Sequence, residues 1–98
     1  METKSLIQIE QLCTHCNIDE SFVLSLYELG HIEMVEDQNR YFIEDSQLKS
    51  LETLIYFHTH LEINLEGVDA IAHLLKKVDT LQSELMRAKS QLKFYLHS

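Results

Sequence analysis

Apolar residues fall along this chain in short stretches at helical spacing, broken once by a β-prone stretch and followed by one long regular repeat. Ile7, Ile9 and Leu12 open a short helix of about two turns, ending near Asn17, a residue that tolerates the left-handed conformation at a helix terminus. A second helix follows at once. Asp19 is placed as its N-cap, Ile18 and Val23 form a hydrophobic staple around it, and Phe22, Val23, Leu26 and Leu29 follow at helical spacing before Gly30 stops it. Two short helices joined by a tight turn make a helix-turn-helix. Two β-prone pieces come next, Ile32 to Val35 and Arg40 to Ile43, around the polar run Glu36-Asp37-Gln38-Asn39. They read as a small hairpin, or wing. Asp45 or Ser46 is positioned to cap a third helix, whose Leu48, Leu51, Leu54 and Ile55 share one side as far as about His60.

Asn64 can cap a fourth helix, with Glu66 in its first turn, where the helix dipole favours an acid. From Ile71 the apolar positions continue at Leu74, Val78, Leu81, Leu85, Ala88, Leu92 and Tyr95, in alternating steps of three and four. A seven-residue repeat held this long is the pattern of a coiled-coil seam. A helix from Leu65 to Leu96 would run about 48 Å, longer than a domain of this size can cover. No Gly or Pro after Gly67 lets it fold back on itself, so its far end is expected to pair with a second copy of the chain. The expected organisation is a winged helix-turn-helix over residues 1–63 and a dimerisation helix over 64–98. The fold class is mainly α, with a small hairpin wing and a long C-terminal helix.

Composition narrows the function. With 98 residues, no Pro and two Gly, the chain has no glycine-rich phosphate loop and few of the turn residues that an all-β sandwich needs. No apolar run nears the roughly 20 residues that span a bilayer, and the first residues lack the basic and apolar regions of a signal peptide, so a cytoplasmic location is expected. The formal net charge is −8 and unevenly spread. Residues 1–39 hold eight acids (Glu2, Glu10, Asp19, Glu20, Glu28, Glu33, Glu36, Asp37) against Lys4 alone. Residues 70–98 reverse the balance, with five bases and two acids. Because affinity for nucleic acid rests mainly on Lys and Arg, the N-terminal part should be repelled by DNA and attracted to basic protein surfaces.

Cys13 and Cys16 form a C-T-H-C run, but there is no second cysteine pair to complete a structural zinc site. None of the six histidines has the paired spacing, with an intervening Glu, of a zinc-protease helix. With Leu12, the cysteines read as reduced residues on one apolar face, and no metal or other cofactor is expected. His58 and His60 are expected to pack or face water. No nucleophile has a placed base and an orienting acid, which argues against an enzyme.

The run Ile9 to Glu20 (I-E-Q-L-C-x-x-C-N-I-D-E), the segment L-x-E-L-G-H-I-E at Leu26 to Glu33, and a wing ending R-Y-F-I-E-D resemble MerR-type winged helix-turn-helix proteins. The order of elements, the N-L-E-G-V segment at Asn64 to Val68 and the acidic first half are closer still to the chaperone-modulatory CbpM family, which does not bind DNA. MerR-type DNA readers carry an Arg in a second-helix run like L-R-Y-Y-E. Here the run is Leu24-Ser25-Leu26-Tyr27-Glu28, and only the wing-end Arg40 is kept. Metal-sensing relatives place their cysteines at the dimer helix, whereas these lie in the first helix.

The CbpM resemblance implies a small adaptor that binds the J domain of a DnaJ-like co-chaperone of the CbpA type and blocks its stimulation of DnaK. J domains present a basic helix to the chaperone, and an acidic competitor fits that surface. The candidate partner-binding residues are Asp19, Glu20, Glu28, Glu33, Glu36 and Asp37, with Tyr27 as an amphipathic anchor. Ile71, Leu74, Val78, Leu81, Leu85, Ala88, Leu92 and Tyr95 are the candidate dimer interface. The alternative is a MerR-type transcription regulator that binds DNA as a dimer.

Overall fold

The computed structural model describes residues 5–97. Glu2 and Lys4, which enter the charge balance above, lie outside the described residues. The element order is β1 (Leu6–Gln8), α1 (Ile9–Cys16), α2 (Glu20–Glu28), β2 (Val35–Asp37), β3 (Arg40–Glu44), a 3-10 turn (Asp45–Gln47), α3 (Leu48–Thr59) and α4 (Leu65–His97). The three strands form an antiparallel sheet in the order β1-β3-β2. The chain is therefore mainly helical, with a small winged sheet and a long C-terminal helix.

The helix-turn-helix is held by its ends. Asn17 takes the left-handed conformation (φ 53°), and the Ile18 N–H donates to the Cys13 carbonyl at 3.0 Å, closing α1. Gly30, at φ +86°, reverses the chain after α2, and the His31 N–H reaches the Leu26 carbonyl at 3.0 Å. At the start of α2, Asp19 occupies the cap position but makes no side-chain capping bond. Neither Asp45 nor Ser46 caps α3; both lie in the 3-10 turn that leads into it. Asn64 does cap α4, its Oδ1 accepting from the Gly67 N–H at 2.8 Å. Gly67 has no room for a side chain, since a Cβ there would lie 2.5 Å from the Ile63 side chain.

Two sequence expectations are corrected in the sheet. Ile7 belongs to a strand, not to the first helix, which starts at Ile9. Its partner is Ile43 in the middle of β3. The wing strand begins at Val35 instead of Ile32, because Ile32 is drawn into the core ahead of it. The hairpin turn is only Gln38-Asn39, at φ 50° and 64°, the two positive values of the turn type whose twist matches the flanking strands.

One core joins every helix. Ile9, Leu12 and Cys13 of α1, Phe22, Val23 and Leu26 of α2, and Ile43 of β3 are buried with Leu51, Leu54 and Ile55 of α3. Val68 and Ala72, from the first turns of α4, complete it. Beyond Ala72 no residue of α4 is buried among the described residues, and the helix runs on into solvent. The radius of gyration is 17.4 Å, against about 13 Å for a compact chain of this length, and the projecting helix accounts for the excess.

Candidate functional site

In DNA-binding helix-turn-helix proteins the second helix is the reading element, so the exposed arc of α2 is the surface to describe first. At about 100° per residue, the buried Phe22, Val23 and Leu26 take one side and Glu20, Ser21, Leu24, Ser25, Tyr27 and Glu28 take the other. Glu20 and Tyr27 fall within about 20° of each other, with Glu28 about 80° further round. The Ser25 hydroxyl turns back to donate to the Ser21 carbonyl at 2.9 Å. The arc therefore offers two carboxylates, a phenol and a leucine, and no base. No Lys or Arg occurs anywhere in residues 5–39.

All seven residues expected to bind a partner are exposed: Asp19, Glu20, Tyr27, Glu28, Glu33, Glu36 and Asp37. Tyr27 and Glu28 stand together at the C-terminal end of α2, whereas Asp19 and Glu20 flank its start, about 12 Å away along the axis. Glu33 is fixed by a residue that sequence reasoning missed. The Gln47 side chain accepts from the Glu33 N–H at 2.8 Å and donates to its carbonyl at 3.2 Å, tying the base of the wing to the start of α3. Successive strand residues face opposite sides, so Glu36 and Asp37 are divided between the two faces of β2. Asp37 lies directly across from Arg40, so the lone base of the wing has an acid as its cross-strand neighbour.

The sheet adds an apolar patch that the sequence did not reveal. The register places Leu6, Phe42 and Val35 on its outer face with Gln8, Glu44, Asp37 and Arg40, while Ile7 and Ile43 face inward. Leu6 is 49% exposed and Val35 43%. An apolar centre beside charged groups is the make-up of a protein interface more than of a phosphate-binding surface. Only recognition of β1 would have shown it.

The expected dimer stripe is laid open along α4. Leu74, Val78, Leu81, Leu85 and Leu92 are each between 47% and 62% exposed, Ala88 and Tyr95 are exposed too, and Ile71 is half-buried near the head. Among the described residues no helix is long and apolar enough to cross a membrane.

The cysteines and two of the histidines are structural. Cys13 is in the core, and burial, with the nearby Glu20, pushes its thiol up to about 11. Burial raises the half-buried Cys16 as well. Both therefore stay protonated at neutral pH, which suits packing and disfavours metal or redox chemistry. His58 stacks on Phe22 at 4.1 Å between ring centroids and donates from Nδ1 to the Ile63 carbonyl at 2.8 Å. His60 stacks on Tyr56 at the exposed end of α3. A different histidine is brought into a polar cluster. His31, just after Gly30, hydrogen-bonds through Nε2 to Asp69 Oδ1 at 2.5 Å, and His73 Nε2 approaches the same oxygen at 3.4 Å.

No curated protein matches the chain. Residues 7–90 do match the family described as MerR HTH family regulatory protein. That match takes in most of β1, the helix-turn-helix, the wing, α3 and most of the projecting helix. The chain belongs to the MerR HTH family of regulatory proteins.

Proposed function

We propose that this protein is a protein-binding member of that family, a modulator that occupies the J domain of a DnaJ-like co-chaperone and so blocks its stimulation of DnaK. The observation that carries the reading is the exposed arc of α2, which holds Glu20, Tyr27 and Glu28 where a DNA reader needs cations. The apolar outer face of the sheet supports it, since phosphate backbones have no use for Leu6 or Val35. The basic helix of a J domain would meet acids on α2 and the wing and an apolar surface beside them. Inhibition needs no chemistry, only occupation of the surface that DnaK requires.

The same reading takes the active species to be a homodimer joined through α4, whose exposed stripe repeats every seven residues. DNA binding as a regulator is the competing reading, and the helix-turn-helix family match is what favours it.

The double variant E28K/E33K tests the proposed contact. Both side chains are exposed, so the fold should be kept. J-domain affinity is expected to fall by about tenfold or more at low salt, about 1.4 kcal/mol, and its salt dependence to flatten. Isothermal titration calorimetry at two salt concentrations measures both, and unchanged affinity at low salt would remove these residues from the contact.

A further inference from the structure

We propose that His31, Asp69 and His73 form a binding site for a divalent transition metal, with zinc as the ion to test. Their donor atoms, one from each residue, all lie within 4.8 Å of one another. The site joins the helix-turn-helix to the root of α4, because His31 and Asp69 are 38 residues apart in sequence.

The backbone holds the donors in place. His31 is fixed by the Gly30 turn, its N–H bonded to the Leu26 carbonyl at the end of α2. Asp69 and His73 are four residues apart, on one face of α4. The two imidazoles meet edge to face, with centroids 4.9 Å apart and planes at 74°, an arrangement in which the two Nε2 atoms converge on the carboxylate without the rings stacking.

Two imidazole nitrogens and one carboxylate oxygen suit zinc, cobalt or nickel, and are too rich in nitrogen for calcium or magnesium. Ligands at about 2.0–2.1 Å around a tetrahedral ion stand roughly 3.3 Å from each other. The 3.4 Å between His73 and Asp69 already meets that spacing. The 2.5 Å between His31 and Asp69 is a hydrogen bond, and the carboxylate must swing out by under about 1 Å for an ion to replace the proton. His73, 64% exposed, leaves the remaining coordination position open to water.

Two features limit the affinity. With a metal on Nε2, neutral His31 carries its proton on Nδ1, and that nitrogen is buried without a hydrogen-bond partner where strong sites supply one. The groove between α3 and α4 that His31 lines also holds Lys49 and Lys76, offset in part by Asp79. Binding is therefore expected in the micromolar range.

The test is calorimetric titration of zinc chloride into the full-length, chelator-treated protein, with cobalt absorption as a second readout. One zinc per chain is expected, together with a rise in Tm. The cobalt spectrum should lack the thiolate charge-transfer band that Cys13 or Cys16 would give. H73A, a change at an exposed side chain, and D69N should each weaken zinc by at least about tenfold, while H15A, at an exposed histidine of α1, should leave it unchanged. No binding up to millimolar zinc, binding that survives H73A, or a thiolate band would overturn the site.

Discussion

If the proposed homodimer forms through α4, the double variant L81E/L85E is expected to sediment as a monomer at concentrations where the unaltered protein is expected to sediment as a dimer. The two leucines lie in the middle of the α4 stripe, 62% and 56% exposed. Full burial of a leucine is worth about 1.5–3 kcal/mol, and in a two-fold symmetric dimer each contribution counts twice. Glutamates there would withdraw that gain and place four like charges in one seam, which should raise the dimer dissociation constant more than a thousandfold, or about 4 kcal/mol. The head should survive, because the core reaches along α4 only to Ala72. The distal half of α4 should lose helicity, since a helix without a packed face is marginal in water. Analytical ultracentrifugation and circular dichroism measure the two effects. An unaltered sedimentation coefficient would mean that the stripe is not the dimer seam.

The second large effect is expected at the opposite end of the molecule. Leu51 is fully buried in α3, in the core that α1, α2, β3 and the first turns of α4 share. Leu51→Ala removes its methyl groups and leaves a cavity, at a cost of about 2–5 kcal/mol. A domain this small has roughly 5–10 kcal/mol in total, so Tm should drop by about 10 °C or more. Urea denaturation of the purified variant gives the free energy directly. Leu74→Ala, at a side chain 59% exposed in the single chain, should cost far less when both substitutions are measured in the L81E/L85E background, where the seam contributes nothing. A comparable loss at both positions would mean that the core extends along α4 well past Ala72.

Three of the helix ends were legible because they rest on local chemistry, whereas Asp19 makes no capping bond and neither Asp45 nor Ser46 caps α3. Asn17, Gly30 and Asn64 each act through their own backbone conformation or a bond to the next turn, and each stands where the sequence places it. The projecting helix was legible from its period. Strand β1 was not, because Ile7, Ile9 and Leu12 satisfy a helical spacing and only the free edge of β3 draws Leu6–Gln8 into the sheet. Ile32 looked like a strand residue and is instead the first core contact after the Gly30 turn. The exposed acids could be named in advance, since surface charge follows from composition. Their supports could not: the Gln47 clamp on Glu33, the apolar face beside Asp37 and the meeting of His31 with Asp69 all depend on residues distant in the chain.

These observations describe a helix-turn-helix whose reading surface has the charge of the ligand it would ordinarily grip. Fluorescence anisotropy of the full-length protein with a labelled J domain, and separately with a labelled DNA duplex, across a range of salt concentrations tests that description most directly. J-domain binding that is tightest at low salt, with no duplex binding at any salt, is the predicted result. Duplex binding that weakens steeply with added salt, alongside no affinity for the J domain, would contradict it.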